Sequence, residues 1–367
     1  MELDRAVRTM LDEAIRVGPG GRVLILAEDA GEGFYGPGLA AEIAARMRRA
    51  GLAVTERPVP FHPLPQPVSP DLVAAMRSHD ATLFLARLGD QLRFDESLAE
   101  VAPVVCYAID LEMMGSAFGH LRGLRALKTC VDRALWAARE VRITCPLGTD
   151  LWAPGAASQP EDTTVRRFPL AIHSPVPASL LHGVVAQTGF LVGTGATYYE
   201  PYGIGLQDSL RVRIEAGRIT AFDGRARDVA AAEAHYRDVA ARAGLDPWTV
   251  HSWHAGIHPG CSFRAPAGDN LARWSGAAFG NPRLLHFHTC GDTPPGEICL
   301  NVVDPTITVD GVALWEDGQL RPERVAGGAA ALSQSPNLAA ALRAPAREIG
   351  LGPSGRLAFA DATALVD

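Results

Sequence analysis

Short, fully apolar runs alternate with amphipathic helical patterns up to residue 139. The run Val-Leu-Ile-Leu-Ala at 23–27 is apolar at every position, as expected of a strand covered on both faces, and a helical pattern follows at 39–49. The alternation continues with strands indicated at 53–59, 82–85 and 104–107 and helices at 71–78 and 121–139. Because parallel strands are joined by helical crossovers, this pattern predicts a Rossmann-like α/β domain at 1–148, a parallel sheet with flanking helices.

Beyond residue 148 the pattern changes to shorter segments. A stretch rich in Pro, Ser and Thr is followed by period-two alternation at 183–192, 209–215 and 218–222. Ala216-Gly217 lies between two of these segments and fits a tight hairpin, and Asp310-Gly311 is a second hairpin signal. Residues 228–243 have helical spacing. These features predict a second, α+β metal-binding domain at 149–367.

Chain length, charge and cysteine content indicate which kinds of binding partner this protein can have. The chain has 367 residues, enough for two domains, and its formal net charge of -7 comes without any Lys/Arg-rich run. A surface for nucleic acid or an anionic membrane is therefore not expected, and no apolar stretch of about 18 residues is present. The six cysteines are scattered and no signal peptide is visible, so we expect reduced thiols in a cytoplasmic protein. A small molecule is the expected partner.

Five of the eleven histidines fall into two short segments: His251, His254, His258, His286 and His288. Imidazoles at this density are typical ligands of Zn(II) or non-haem Fe(II). The second pair is two residues apart, so on a strand both side chains point to the same face and can bind one ion. Gly256 and Pro259 disfavour a helix around His254 and His258, so a loop is predicted there. The alternative is that these histidines are ordinary hydrogen-bonded residues.

Acidic residues follow the second histidine segment, at Asp292 and Glu297. Carboxylates so placed can complete a metal site or act as general acid and base, and His258 is a third candidate for that catalytic role. Cys290 and Cys299 can join as thiolates, but no Cys-x-x-Cys pair is present, which disfavours a zinc finger. Gly-x-Ser-x-Gly and His-Glu-x-x-His are also absent, which disfavours the hydrolases built on those motifs.

Residues 253–260, Trp-His-Ala-Gly-Ile-His-Pro-Gly, resemble the segment that carries the first metal ligand in thermostable metallo-aminopeptidases and in 2,5-dihydroxypyridine 5,6-dioxygenase. The aminopeptidases have Glu where this chain has His254, whereas the dioxygenase has His. Residues 141–150, 210–224 and 305–311 resemble further segments of the same proteins, so the likeness extends over most of the chain. It implies an α/β N-terminal domain, a C-terminal metal-binding domain and a homo-oligomer.

The chain departs from this family at the other ligands. Where the dioxygenase has a His-x-Asp pair, this chain has Glu-Ile-Cys beginning at Glu297, and Trp152 stands where the family has a histidine near the substrate. We infer a rebuilt site in which His254, His286 and His288 hold the metal. Glu297 is then a fourth ligand or an acid/base group.

Three functions are compatible with these residues. The first is a mononuclear non-haem Fe(II) oxygenase acting on a small molecule, and the second is a Zn-dependent hydrolase resembling amidases and aminopeptidases. The third is a non-catalytic binding protein of the same fold. Fe(II) is the expected cofactor, with Zn(II) as the alternative. Arg264, Asp90 and Tyr202 are candidate substrate contacts, because Arg264 can bind a carboxylate and Asp90 follows a predicted strand end.

Overall fold

The computed structural model describes residues 2–64, 66–93, 95–98, 100–101, 103–116, 120–155, 166–194, 198–291 and 296–360. The chain forms two compact units. The first comprises Met1–Arg122, Asp162–Leu170 and Gly195–Tyr198, and the second comprises Gly123–Glu161, Ala171–Thr194 and Tyr199–Asp367. The chain therefore passes between the units more than once. The domain boundary expected after residue 148 stays a prediction.

The helices of the described residues are α1 Glu2–Thr9, α2 Leu39–Arg49, α3 Pro70–Arg77, α4 Leu88–Gln91, α5 Leu111–Ser116, α6 Leu121–Trp136, α7 Ala226–Ala243, α8 Leu271–Ala278, α9 Gly328–Ser333 and α10 Pro336–Arg343. A π-helical turn, Met10–Ile15, continues α1. None of the described helices has both the length and the apolar character needed to cross a membrane.

The strands of the described residues are β1 Arg22–Glu28, β2 Ala53–Val59, β3 Ala81–Leu85, β4 Val104–Cys106, β5 Val141–Thr144, β6 Asp150–Ala153, β7 Arg166–Phe168, β8 Val176–Pro177, β9 His182–Gln187, β10 Phe190–Val192, β11 Gly203–Gly205, β12 Leu210–Glu215, β13 Arg218–Asp223, β14 Val250–Ala255, β15 Leu284–Cys290, β16 Glu297–Val303, β17 Thr306–Val309, β18 Val312–Glu316 and β19 Gln319–Leu320. They form one parallel and two antiparallel sheets.

The first unit is built on a parallel sheet with the strand order β2-β1-β3-β4-β7. Every residue of β3 and β4 is buried, as expected of strands covered on both faces. Strands β1 to β4 agree with the four predicted strands to within one residue at each end, and α2 has its predicted bounds. The predicted α/β class is confirmed. The short strand β7 was not predicted, because three residues are too few to show a period.

The second unit contains two antiparallel sheets. Their strand orders are β13-β12-β9-β6-β5-β17-β18-β19 and β11-β10-β16-β15-β14-β8. The two predicted hairpins are present, since Ala216 and Gly217 have φ angles of 46° and 69° and Asp310 and Gly311 have φ angles of 48° and 85°. Positive φ at both central residues is typical of the type I′ turn, whose twist matches that of paired strands. The predicted α+β class is confirmed.

The six-stranded sheet is the part of the second unit that differs most from the sequence prediction. His254 lies on β14 and not on the predicted loop, because the strand extends to Ala255 before Gly256 and Pro259 end it. His258 does lie outside any helix or strand, as expected. Strands β15 and β16 are buried at every position, so this sheet forms the interior of the unit.

The cysteines form no disulfides, and all six are free thiols. Burial raises the pKa of Cys106, Cys261 and Cys290 to about 12. These three thiols are therefore protonated at neutral pH, and a protonated thiol is a poor nucleophile. The expectation of reduced cysteines agrees with this structure.

Gly256 follows β14 where two backbone segments approach closely. Its N–H donates to the carbonyl of Leu284, and its own carbonyl accepts from Nε1 of Trp315, both at 3.0 Å. A Cβ atom at position 256 would lie 2.1 Å from the backbone oxygen of Asn281. Since that neighbour is backbone and not a flexible side chain, only glycine fits here.

We expect Gly256→Ala to lower the free energy of unfolding by roughly 1–3 kcal/mol, the usual effect of overpacking a core. The matched control is Gly205→Ala on β11, where a Cβ atom would meet nothing within 4 Å. Urea denaturation of both variants measures the effect. Equal stability of the two variants would contradict the close approach at Gly256.

Candidate metal centre

Strand β15 carries two histidines on one face. It reads Leu-Leu-His-Phe-His-Thr-Cys and is buried along its whole length. Successive side chains of a strand alternate between its two faces, so His286 and His288 share one face while Leu285 and Phe287 share the other. One face of the strand is therefore ordinary apolar core, and the opposite face presents buried imidazoles.

Strand β14 adds a third histidine to that face. His254 pairs with His286 in the antiparallel ladder, and directly paired residues have their side chains on the same side of a sheet. The ring centroids lie 5.3 Å apart for His254 and His286, 5.0 Å for His254 and His288, and 5.3 Å for His286 and His288. One ring nitrogen from each lies within 4.8 Å of the other two, and among the described residues this is the one such group of at least three potential ligands.

The three imidazoles are almost inaccessible to water, with exposed fractions of 4% for His254, 3% for His286 and 9% for His288. Burial, followed by the proximity of His288 and His286, lowers the pKa of His254 well below its ordinary value of 6.5. His254 is therefore neutral at physiological pH, and neutral imidazole is the form that binds a metal ion. Three converging imidazole nitrogens fit Zn(II) or Fe(II), which both accept this donor.

His173 orients His254 from outside the cluster. Nδ1–H of His254 donates to the backbone carbonyl of His173 at 2.9 Å, which leaves Nε2 of His254 as the ligand nitrogen. The ring of His173 holds the same strand: its Nε2 accepts from the backbone N–H of Ala255 at 2.8 Å, and its Nδ1 donates to the carbonyl of Ser174 at 2.6 Å. Burial lowers the pKa of His173 to about 4, so its accepting nitrogen stays unprotonated at neutral pH.

Helix α6 fixes the segment that contains His173. The carboxylate of Asp132 accepts from both the backbone N–H and the hydroxyl of Ser174, each at 2.9 Å. Lys128, one turn earlier on the same helix, forms an ion pair with Asp132. The carbonyl that orients His254 is thus attached through Ser174 to a helix of the same unit.

Glu297 orients His288 in a similar way. Its side chain is fully buried, and Oε1 accepts from Nδ1 of His288 at 2.7 Å, which leaves Nε2 of His288 as the ligand nitrogen. The other carboxylate oxygen accepts from the hydroxyl of Thr194. Glu297 therefore lies behind His288 and outside the group of three ligand atoms. Its roles as fourth ligand and as acid/base group remain predictions.

Phe279 covers the ring of His286. The two rings are nearly parallel, 18° apart, with centroids separated by 4.2 Å. Trp274 contacts Phe279 edge to face at 5.2 Å and is itself fully buried. This aromatic wall keeps water from one side of the cluster and restricts rotation of His286.

Among the described residues, His251 and His258 do not belong to this group of three ligands. The ring of His251 bonds to the carbonyl of Cys290 at 3.3 Å. His258 is fully buried, and its Nδ1 accepts from the backbone N–H of Gly260 at 3.0 Å. Asp292 lies outside the described residues. The catalytic roles of His258 and Asp292 remain predictions.

The three predicted substrate contacts have different surroundings. Arg264 is exposed, whereas Tyr202 is buried and shares a 2.8 Å hydrogen bond with the hydroxyl of Ser275. Asp90 is buried in the first unit, where its carboxylate accepts from Arg93 at 3.0 Å and from Tyr198 at 2.8 Å. Asp90 thus has structural partners in its own unit. A substrate contact by any of these three residues remains a prediction.

No pattern in the sequence indicates His173, Thr194 or Phe279. His173 is 81 residues away from His254 in the chain, and Thr194 is 103 residues away from Glu297. Neither lies in a histidine-rich or acidic segment, so nothing local marks them as parts of a site. Glu297 could be found from sequence because it is an acidic residue close to the histidines.

No known family model matches this sequence, and no curated protein sequence matches it. Among solved structures, the chain is similar to 2,5-dihydroxypyridine dioxygenase from Pseudomonas putida KT2440, with a TM-score of 0.56 and 13% identity over 87% of this chain and 96% of that one. It is also similar to wild-type AmpT from Thermus thermophilus, with a TM-score of 0.51 and 10% identity over 87% and 98% of the two chains. At such low identity these likenesses show a shared fold alone.

Replacing any one of His254, His286 and His288 by Ala is expected to weaken Zn(II) and Co(II) binding. The loss should exceed the roughly 100-fold that removal of an outer hydrogen-bond partner can cause, because a direct ligand is removed. Competition with a chromophoric chelator measures the affinity. The control is His251→Ala on β14, the strand that also carries His254, and this variant should bind the metal ions like the unmodified protein. A triad variant that binds as tightly as this control would exclude that residue as a ligand.

Glu297→Gln is expected to weaken metal binding by roughly 10–100-fold, because a neutral amide no longer increases the basicity of His288. Thr194→Val should have a smaller effect, since it leaves the carboxylate beside His288 in place. Glu233→Gln on α7, whose carboxylate pairs with Arg237, is the control for loss of one negative charge. The same chelator competition measures all three variants, and an unchanged affinity in Glu297→Gln would contradict a contribution of the Glu297 charge to metal binding.

Proposed function

We propose that this protein is a mononuclear metalloenzyme that acts on a small molecule, and that it is a non-haem Fe(II) oxygenase. The observation that carries the proposal is the convergence of His254, His286 and His288 on one buried face of a sheet. Two of the three rings have Nδ1 engaged in a hydrogen bond directed away from the cluster, as metal-ligating histidines usually do. Imidazoles with a purely structural role need no such shared orientation.

A single ion suits the donor set better than a pair of ions. The described residues provide one group of three potential ligands. Enzymes with two metal ions hold them about 3.5–4 Å apart and need bridging or additional ligands, commonly carboxylates. Here the nearby carboxylate of Glu297 accepts from His288 and from Thr194.

Oxygenase chemistry is favoured by two further observations. The fold is shared with a protein that is a 2,5-dihydroxypyridine dioxygenase. In addition, Glu297 is fully buried and holds His288, so it is poorly placed to activate water as a hydrolase base. Iron(II) on three protein ligands would supply oxygenase chemistry to a small chelating substrate.

The residues of the chain have distinct tasks in this proposal. His254, His286 and His288 would hold the ion through their imidazole nitrogens. The carbonyl of His173 and the carboxylate of Glu297 fix the orientation of two of these rings and set their tautomers. Burial of the face excludes bulk water and strengthens the electrostatic interactions within it.

A zinc-dependent hydrolase is the second candidate. Three histidines form a common ligand set of catalytic zinc, which would act as a Lewis acid and a source of hydroxide. The similarity in fold to AmpT is consistent with this alternative. Asp292, as the predicted general base, would complete the hydrolytic site.

We expect anaerobically purified protein, prepared without a His-tag, to bind about one Fe(II) per chain, as one three-ligand group implies. With dihydroxypyridines or catechols as trial substrates, the Fe(II)-loaded protein should consume dioxygen, and removal of the metal by a chelator should abolish this consumption. His254→Ala should be inactive under the same conditions. An oxygen electrode measures the oxygen consumption, and elemental analysis measures the iron content per chain.

Hydrolysis of amide or peptide substrates by Zn(II)-loaded protein, without oxygen consumption by the Fe(II) form, would favour the second candidate. A chain that binds neither ion at a measurable ratio would contradict both enzyme hypotheses. It would then be a binding protein in which the histidines are structural.

A further inference from the structure

Strand β16 places three polar side chains on the face that carries the histidines. In the β15–β16 ladder, Cys290 pairs with Glu297, His288 with Cys299 and His286 with Asn301. Paired residues project to the same side of the sheet, so Glu297, Cys299 and Asn301 all lie on the face of the triad. The hydrogen bond between Glu297 and His288 agrees with this register.

The side chain of Asn301 is fully buried beside His286, and within the described part of the chain neither its oxygen nor its nitrogen has a hydrogen-bond partner. Its backbone N–H is held firmly, because it donates to Oε1 of Gln187 at 2.6 Å. The residue is therefore fixed in position while its amide offers one acceptor and two donor hydrogens. Buried polar groups are nearly always satisfied in proteins, so an amide in this state indicates that something else occupies its hydrogen bonds.

Other buried amides of the same unit are fully used. Asn281 donates from Nδ2 to the carbonyls of Cys261 and Ala346, and its oxygen accepts from the N–H of Arg283. Gln187 donates to the carbonyl of Thr188 and accepts from Asn301. Asn301 differs from these two residues because no described residue pairs with its buried amide. A residue with only a packing role at this position would be expected to be apolar, like its neighbours Leu300 and Val302.

We propose that Asn301 is a specificity-determining residue that binds the amide edge of the substrate next to His286. An asparagine side chain presents a donor and an acceptor side by side, and it pairs in two parallel hydrogen bonds with a group that presents the complementary pair. A carboxamide or a lactam has such an edge. The substrate class is thus a small chelating molecule with an amide edge, an inference that rests on the proposed metal-dependent function.

The test compares two probes that differ in a single group. Picolinamide and 2-acetylpyridine both chelate a metal through a ring nitrogen and a carbonyl oxygen, but only picolinamide carries an amide N–H. Binding to the Co(II)-loaded protein is followed by the visible absorption of the ion. The ratio of the two affinities in the unmodified protein is compared with the ratio in Asn301→Leu, which cancels the intrinsic difference between the probes.

Asn301→Leu should reduce the affinity for picolinamide about tenfold more than the affinity for 2-acetylpyridine. Both probes lose the bond to their carbonyl oxygen, but only picolinamide also loses the bond from its amide N–H. The thermal midpoint of Asn301→Leu should not fall, because the variant removes an amide that has no hydrogen-bond partner among the described residues. The matched control, Asn281→Leu, should lower the thermal midpoint, since its amide holds three backbone groups. If Asn301→Leu fails to fold, Asn301→Ser provides the same comparison with a smaller change in shape.

If Asn301→Leu binds Co(II) normally and shows the same ratio of affinities for the two probes as the unmodified protein, the role of Asn301 is overturned. An equal fall in affinity for both probes has the same meaning. Either result leaves the oxygenase proposal intact. In the opposite result, the preference for picolinamide depends on Asn301 while the Fe(II)-loaded protein consumes no oxygen. This result would refute the oxygenase proposal and support the amide-binding role of Asn301.

Discussion

The pairing of β14 with β15 and of β15 with β16 is the constraint on which the candidate site depends. Side chains alternate along a strand, so a slip of one residue in either ladder would move a histidine or its partner to the opposite face. The observed register sets His254 directly beside His286, and Glu297 within reach of His288. The grouping of the three candidate ligands, the contact of Glu297 with His288 and the position of Asn301 all follow from these two ladders.

Electrostatics explains why this arrangement is compatible with a buried sheet. Three protonated imidazoles could not be buried together, and the lowered pKa of His254 reflects both burial and mutual repulsion. The rings of His254 and His288 donate outward hydrogen bonds to the carbonyl of His173 and to the carboxylate of Glu297. The same bonds leave the opposite ring nitrogens of His254 and His288 facing the candidate metal centre.

Much of the fold could be predicted from local pattern. The four strands and the helix α2 of the first unit agree with prediction closely, because a run of apolar residues and a helical period are properties of neighbouring residues. The two type I′ hairpins were also predictable, since Ala216-Gly217 and Asp310-Gly311 supply the required positive φ angles. His286 and His288 were predictable as a pair for the same reason: their spacing of two fits a strand.

The sequence by itself therefore determined the two fold classes, the hairpins and the identity of the histidines as the residues of interest. Tertiary structure decided how these residues meet. It placed His254 on a strand beside His286, set Glu297 behind His288, and brought His173 to His254 across 81 residues of chain. It also buried the amide of Asn301 on the same face, where no described residue forms a hydrogen bond with it. Such contacts depend on strand register and on packing between residues far apart in the chain, and neither produces a periodic pattern in the sequence.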